Sequence, residues 1–261
     1  LPLSHGVNMT ERRTIKASDK ADRKSRYVLL VDNDVDTLSY TAMLLQRFDY
    51  RIRTAANVAE ALKTAPGVAL SLIITSFGLK DAEGLDLMWK LKQSPGLADV
   101  PFIVLVQHDD LLGEIQSVEL GAAACLSWPV SPELLYQAVQ AAVETRPRTC
   151  IRLRTFLPVE VNNLSLDYLD GTCTSMLSER GMFMRTATPF EVNTRLSLEI
   201  DLRDQTIVVD AVVLYSHRTA KGPCREPGMG LEFVRIEPND QEHIRQFIRN
   251  EVTQGIAPGN A

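Results

Sequence analysis

Two arginines four residues apart, Arg148 and Arg152 in RTCIR, carry the clearest binding chemistry in this chain. A guanidinium fork can hold a phosphate bidentately, read O6 and N7 of guanine, or stack on a base. Arginine pairs are common on solvated linkers, so RTCIR alone says little. It gains weight from SERG further on, where Ser178 adds a hydroxyl donor and Gly181 allows close backbone approach. In the first half, the apolar run YVLLV ends in Asp32, Asn33 and Asp34, and LIITS ends in Ser76. The carboxyl end of a strand is where open α/β sheets bind ligands. A serine there could accept a phosphoryl group from a serine kinase. The preferred reading is a small residue filling a pocket.

Catalytic chemistry is not indicated. The histidines His5, His108, His217 and His243 are scattered, and no GxSxG or glycine-rich phosphate loop occurs. His108-Asp109-Asp110 reads as a solvated loop rather than a metal site. Cys125, Cys150, Cys173 and Cys224 form no CxxC pair, a usage that fits a reducing cytosol. The expectation is a cytoplasmic protein that is not an enzyme, with no catalytic residue and no metal.

The elements that must position these residues fall into two kinds. Up to Glu144, short apolar runs alternate with helical patterns. Tyr27–Val31, Ile52–Ala55, Leu70–Thr75, Phe102–Val106 and Ala122–Leu126 read as strands. Thr37–Phe48, Val58–Ala65, Leu85–Leu91, Leu111–Leu120 and a segment opened by Ser131-Pro132-Glu133 read as helices. This (βα)₅ order implies a parallel sheet with helices on both faces. TRPRT, Thr145–Thr149, is a proline-interrupted basic linker. Beyond it, Thr155–Val161, Thr172–Leu177, Met182–Arg185, Leu196–Leu202, Thr206–Tyr215 and Gly230–Val234 read as strands of a small antiparallel barrel. A helix over Glu237–Val252 turns Ile244, Phe247, Ile248 and Val252 inward.

Charge excludes one class of partner. The net charge is −5, and Glu11–Arg26 holds seven basic residues against three acidic, which leaves −9 for the remainder. A nucleic-acid binder would show the opposite sign over its folded part, and no recognition-helix pattern follows the first half, so DNA is not expected as a partner. The basic leader has few apolar residues and reads as a disordered arm. No apolar stretch approaches the ~18 residues of a membrane span.

The strand-ending acids, the (βα)₅ order and LGAAACLSWPV together resemble the receiver domain of response regulators, over roughly Ser25–Glu144. The resemblance implies acids after the first strand that bind Mg²⁺, an aspartate phosphoacceptor after the third, a hydroxyl after the fourth and a lysine after the fifth. Asp32 and Asn33 fall on the metal-binding acids, with Asp34 as a possible substitute. Ser76 falls on the phosphoacceptor, Val106 on the hydroxyl residue and Trp128 on the lysine. Cys125 falls where an aromatic switch residue is usual. A serine cannot form an acyl phosphate, valine offers only methyls, and tryptophan carries no charge. The implication is a pseudo-receiver that cannot be phosphorylated. Trp128 reads either as a cover over the empty acidic pocket or as an anchor for a partner.

RTCIR, then SERG 26 residues after Arg152, then Gly181-Met182-Phe183 and Gly230-Leu231-Glu232-Phe233, resemble a PilZ domain over about Arg146–Val252. That family implies a receptor for cyclic di-GMP, held by Arg148, Arg152, Ser178 and Gly181. Two arginines on a flexible linker would wrap a ligand sitting on the barrel face. The family pattern has Asp or Asn two residues before the serine, where this chain has Met176. Methionine is a poor acceptor for the N–H groups of the guanine edge. Losing one charge-assisted hydrogen bond weakens binding about tenfold to a hundredfold, from ~1 μM to ~10–100 μM. Ser175 or Asp170 could supply an acceptor from a shifted register.

The expected fold is α/β plus β: an N-terminal (βα)₅ flavodoxin-like doubly wound parallel sheet, then a six-stranded antiparallel β-barrel with a terminal helix. The expected divisions are a basic arm (1–25), a degenerate receiver (26–144), a linker carrying RxxxR (145–154), a PilZ-like barrel (155–252) and a tail (253–261). The expected function is a non-enzymatic bacterial signalling adaptor that binds cyclic di-GMP and relays it, by interdomain rearrangement, to a protein partner of the pseudo-receiver. The alternative is a ligand-independent scaffold. By resemblance, the setting is motility, exopolysaccharide or secretion control.

Overall fold

A computed structural model of the chain describes residues 27–79, 84–94, 96–161, 173–218 and 226–256. The basic arm, Asp170 and Cys224 lie outside the described residues.

The first half is a five-stranded parallel sheet. Its strands are β1 (Tyr27–Val31), β2 (Arg51–Ala55), β3 (Leu70–Ser76), β4 (Phe102–Gln107) and β5 (Ala124–Trp128), in the order β2-β1-β3-β4-β5. The runs VLLV, LIIT and FIVLV are buried on both faces because helices cover both. On one face, Leu29, Val31 and Ile73 pack against α2 (Val58–Thr64) and α3 (Gly84–Lys92). On the other, Val28, Leu30, Leu72 and Ile74 pack against α1 (Val35–Arg47) and α5 (Pro132–Val143). Beside β4 and β5 lies α4 (Leu111–Glu119), capped by Asp110, whose carboxylate accepts from the Gly113 N–H at 3.0 Å.

Helix α1 opens two residues before the expected Thr37. The reason is Asp34, which is the N-cap: its carboxylate accepts from the N–H groups of Asp36 at 2.7 Å and Thr37 at 2.9 Å. β5 likewise runs on to Trp128 instead of stopping at Leu126, because Trp128 pairs with Gln107 of β4.

The second half is a six-stranded antiparallel sheet of β6 (Val159–Val161), β7 (Cys173–Ser178), β8 (Gly181–Arg185), β9 (Arg195–Asp201), β10 (Thr206–His217) and β11 (Gly228–Ile236). The strand order is β6-β9-β10-β11-β8-β7. The segment leading into β6 bridges to β7 through Leu153–Leu177 and Leu157–Thr174, so one stretch of chain ties the two edges together. The terminal helix α6 (Pro238–Thr253) buries Ile244, Ile248 and Val252. Phe247 is only partly buried, with the Arg203 guanidinium 5.5 Å above its ring.

The apolar core does not stop between the halves. The α1 and α5 side of the first sheet and the interior of the second form one continuous cluster. Polar contacts brace it. The Arg47 guanidinium at the end of α1 donates to the carbonyls of Glu251, Val252 and Gln254, the last turn of α6. Arg249 meets Glu133 at 2.8 Å, and Arg154 meets Asp49 at 3.5 Å.

Candidate functional site

Asp32, Asn33, Ser76, Val106 and Trp128, named from the sequence, all line one cleft of about 280 Å³ at the carboxyl ends of β1, β3, β4 and β5. Within it the Ser76 hydroxyl donates to one Asp32 carboxylate oxygen, and the Asp34 N–H donates to the other at 2.8 Å. Burial pushes the Asp32 carboxyl above the ordinary aspartate range, and the Ser76 hydroxyl pulls against that rise. One oxygen of the Asp34 carboxylate caps α1, accepting from the N–H groups of both Asp36 and Thr37. Among the described residues, no group of three or more His, Cys, Asp or Glu is placed to hold a metal ion.

Trp128 is 5% exposed. Its ring meets Tyr40 edge-on, with centroids 5.5 Å apart and planes at 84°, and the Tyr40 hydroxyl donates to the Val130 carbonyl at 3.4 Å. This burial overturns the reading of Trp128 as an exposed anchor: its indole fills the core and walls the cleft. Val106 is buried beside it. The cleft therefore has an internally satisfied Asp–Ser pair, with Val106 and Trp128 on one side and polar residues such as Asn33, Thr37 and Gln107 around the rest.

The arginine motif sits on a segment that is held down, against the expectation of a flexible linker. The Arg148 N–H donates to the side-chain oxygen of Gln140 at 3.2 Å, and the Thr149 carbonyl accepts from Gln137 at 2.9 Å. Both glutamines are on α5. Gln140 is fully buried, and its nitrogen donates to the Tyr50 hydroxyl at 2.8 Å. The sequence carried a signal for this. Gln140 stands among Tyr136, Val139 and Val143, a polar residue at a core-facing position of the helical pattern.

Leu153 and Leu177 exchange two backbone hydrogen bonds of 2.8 Å. In an antiparallel pair of this kind the next residues out face each other, so Arg152 stands opposite Ser178. Both leucines point inward, which turns Arg152 and Ser178 to the outer face. Ser178 is paired with Gly181 across the β7–β8 hairpin, its hydroxyl donating to the Gly181 carbonyl at 2.9 Å. A Cβ at Gly181 would strike the Leu231 carbonyl oxygen of β11. Arg152, Ser178 and Gly181 thus form one row across the sheet, while Arg148 is anchored separately on α5.

Of the next row, Met176, Phe183 and Gly230 were named from the sequence, and Tyr215 was not linked to them. In it Met176 pairs with Phe183, Phe183 with Gly230, and Gly230 with Tyr215. The half-buried Met176 places no acceptor beside Ser178.

Comparison with known proteins follows the same division. The family model of the response regulator receiver domain matches residues 28–140, and that of the PilZ domain matches residues 146–250. The transcriptional regulatory protein GlrR of Escherichia coli is 29% identical over 133 residues, which are 50% of this chain and 29% of GlrR. The phosphate regulon transcriptional regulatory protein PhoB of Pseudomonas aeruginosa is 27% identical over 141 residues, 54% of this chain and 59% of PhoB. The chain thus spans less than two thirds of these relatives' lengths. A solved putative response regulator from Chloroflexus aurantiacus is 25% identical, with a TM-score of 0.44, and covers 45% of this chain and 97% of its own.

Proposed function

We propose that this chain, a response regulator receiver domain followed by a PilZ domain, is a non-enzymatic signalling adaptor that binds cyclic di-GMP on its PilZ half. Arg148 and Arg152 take the phosphates and a guanine, Ser178 adds a hydrogen bond, and Gly181 leaves room for the ligand. The observation that supports this reading is the Leu153–Leu177 bridge, which brings the segment carrying RTCIR onto the strand that ends in Ser178. The receiver half takes no phosphoryl group. Its Ser76 hydroxyl is engaged with Asp32, and neither Val106 nor Trp128 can neutralise added charge. It serves instead as a surface for a protein partner, and the anchored linker carries the ligand's arrival to it.

Calorimetric titration with cyclic di-GMP tests the site. Wild type is expected to bind at roughly 10–100 μM, weakened by Met176, and the Arg148→Ala, Arg152→Ala double variant to lose at least about thirtyfold. Absence of binding at about 100 μM ligand would sink the reading. Incubation with acetyl phosphate and Mg²⁺ is expected to leave the intact mass unchanged.

One observation favours a second reading, a ligand-independent scaffold. The continuous core and the Arg47 brace join the two halves by packing that leaves little room for a ligand-driven rearrangement. Wild-type behaviour of the double arginine variant in the cell would favour that reading.

A further inference from the structure

We infer that Arg245 of α6 is a further positioning residue of the ligand site: it neutralises Glu179, the acid inside the SERG turn, so that this turn can face an anionic ligand. The inference rests on the cyclic di-GMP reading above and adds a residue that neither motif contains.

The difficulty starts in the sequence. SERG places a carboxylate, Glu179, between Ser178 and Gly181, the two residues of the turn assigned to the ligand. A ligand with two phosphates brings negative charge to that turn. A carboxylate left alone there would repel it, and partial burial makes such repulsion harder for water and salt to screen. The fold answers with α6. The Arg245 guanidinium donates to the Glu179 carboxylate at 3.1 Å, and the Glu179 side chain keeps only 19% of its surface exposed. Glu179 is also the chief cause that pushes the Arg245 guanidinium above its ordinary range, first through the hydrogen bond and then through its charge. The second partner of Arg245 is Glu242, three residues back on the same helix and exposed.

The turn is fixed in position as well as in charge. On its other shoulder, the Arg180 carbonyl accepts from the Phe233 N–H of β11 at 3.0 Å. A strand thus pins one side of the turn and a helix the other. α6 is itself braced on the receiver half by Arg249 and Glu133, one helical turn beyond Arg245. A guanidinium carried on such an element reaches the turn with little left to order. With Glu179 neutralised, the exposed Arg180 and Arg185 leave the hairpin with a positive field. Glu232, paired with Gly181, is acidic too, but it is exposed and water screens it.

The test is calorimetric titration of the full chain with cyclic di-GMP in wild type, Arg245→Ala, Glu179→Gln and the double variant. Arg245→Ala is expected to weaken binding about threefold or more, and the deficit to shrink in about 0.5 M salt. Glu179→Gln is expected to tighten binding about twofold, because the acid is gone and Arg245 is released. The double variant is expected to return to wild-type affinity or better, since no acid remains to be neutralised. Glu242→Gln is expected to leave affinity within about twofold. Unchanged affinity in a folded Arg245→Ala variant, or a double variant no better than Arg245→Ala, would overturn the inference and leave the Arg148 and Arg152 site standing. A larger loss in Glu242→Gln would overturn it too, by tracing the effect to the helix. Weaker binding by Glu179→Gln would overturn it even where Arg245→Ala does not fold. Failure of wild type to bind would overturn the cyclic di-GMP reading, and this inference with it.

Discussion

At the scale of single residues, the burial of Asp32 ties the stability of the receiver cleft to pH. Burial raises the Asp32 carboxyl, so its contribution to stability is fully present below the ordinary aspartate range and is lost as pH climbs through its folded value. Asp32→Asn removes the charge while keeping an oxygen to accept from the Asp34 N–H. It is expected to stabilise the protein at pH 7, with the gain vanishing as pH falls into the ordinary aspartate range, as read from thermal melts across that range. Ser76→Ala has the opposite sign at pH 7, because it withdraws the hydroxyl that offsets the buried charge. Asp34 works through backbone instead of charge. Asp34→Ala is expected to destabilise by about 1 kcal/mol through loss of the α1 cap, with no dependence on added Mg²⁺.

At the scale of elements, the β7–β8 hairpin is held by glycine as much as by hydrogen bonds. The obstacle to a side chain at Gly181 is the Leu231 carbonyl, which belongs to a paired strand and cannot swing aside. Gly181→Ala is therefore expected to lower stability by about 1–3 kcal/mol in urea denaturation even without ligand. Lost ligand binding in that variant would report the hairpin as well as the contact. Most of this architecture was legible in the sequence, since doubly buried strands appear as unbroken apolar runs and helices as 3.6-residue patterns. Ends were less legible. Asp34 has the same residue type whether it caps a helix or binds a metal, and only the backbone direction after it decides. The stacking of Phe183 on Tyr215 was not visible, because it depends on registers among three strands that no local pattern encodes. Trp128 was ambiguous for a similar reason: Tyr40, the ring that buries it, lies 88 residues away in sequence.

At the scale of the whole molecule, the two halves are one packed body. The last turn of α6 leaves carbonyls without helical partners, and Arg47 from the other half satisfies three of them. Unfolding is expected to be a single transition. The two tryptophans, Trp89 and Trp128, both report the first half, while β-sheet ellipticity reports chiefly the second. Their denaturation curves are expected to coincide, and separate midpoints would show that the halves unfold independently. Arg47→Ala is expected to cost about 2 kcal/mol and to pull the two curves apart.

The buried carboxamide of Gln140 has its nitrogen on Tyr50 and its oxygen on the peptide of Arg148. On the proposed reading, the peptide of the motif's first arginine is held by the other domain, so that part of the segment's ordering is not left to the moment of binding. Cutting the chain between the domains would return that ordering to the moment of binding. An isolated PilZ fragment would then bind more weakly than the intact protein while every motif residue remained in place.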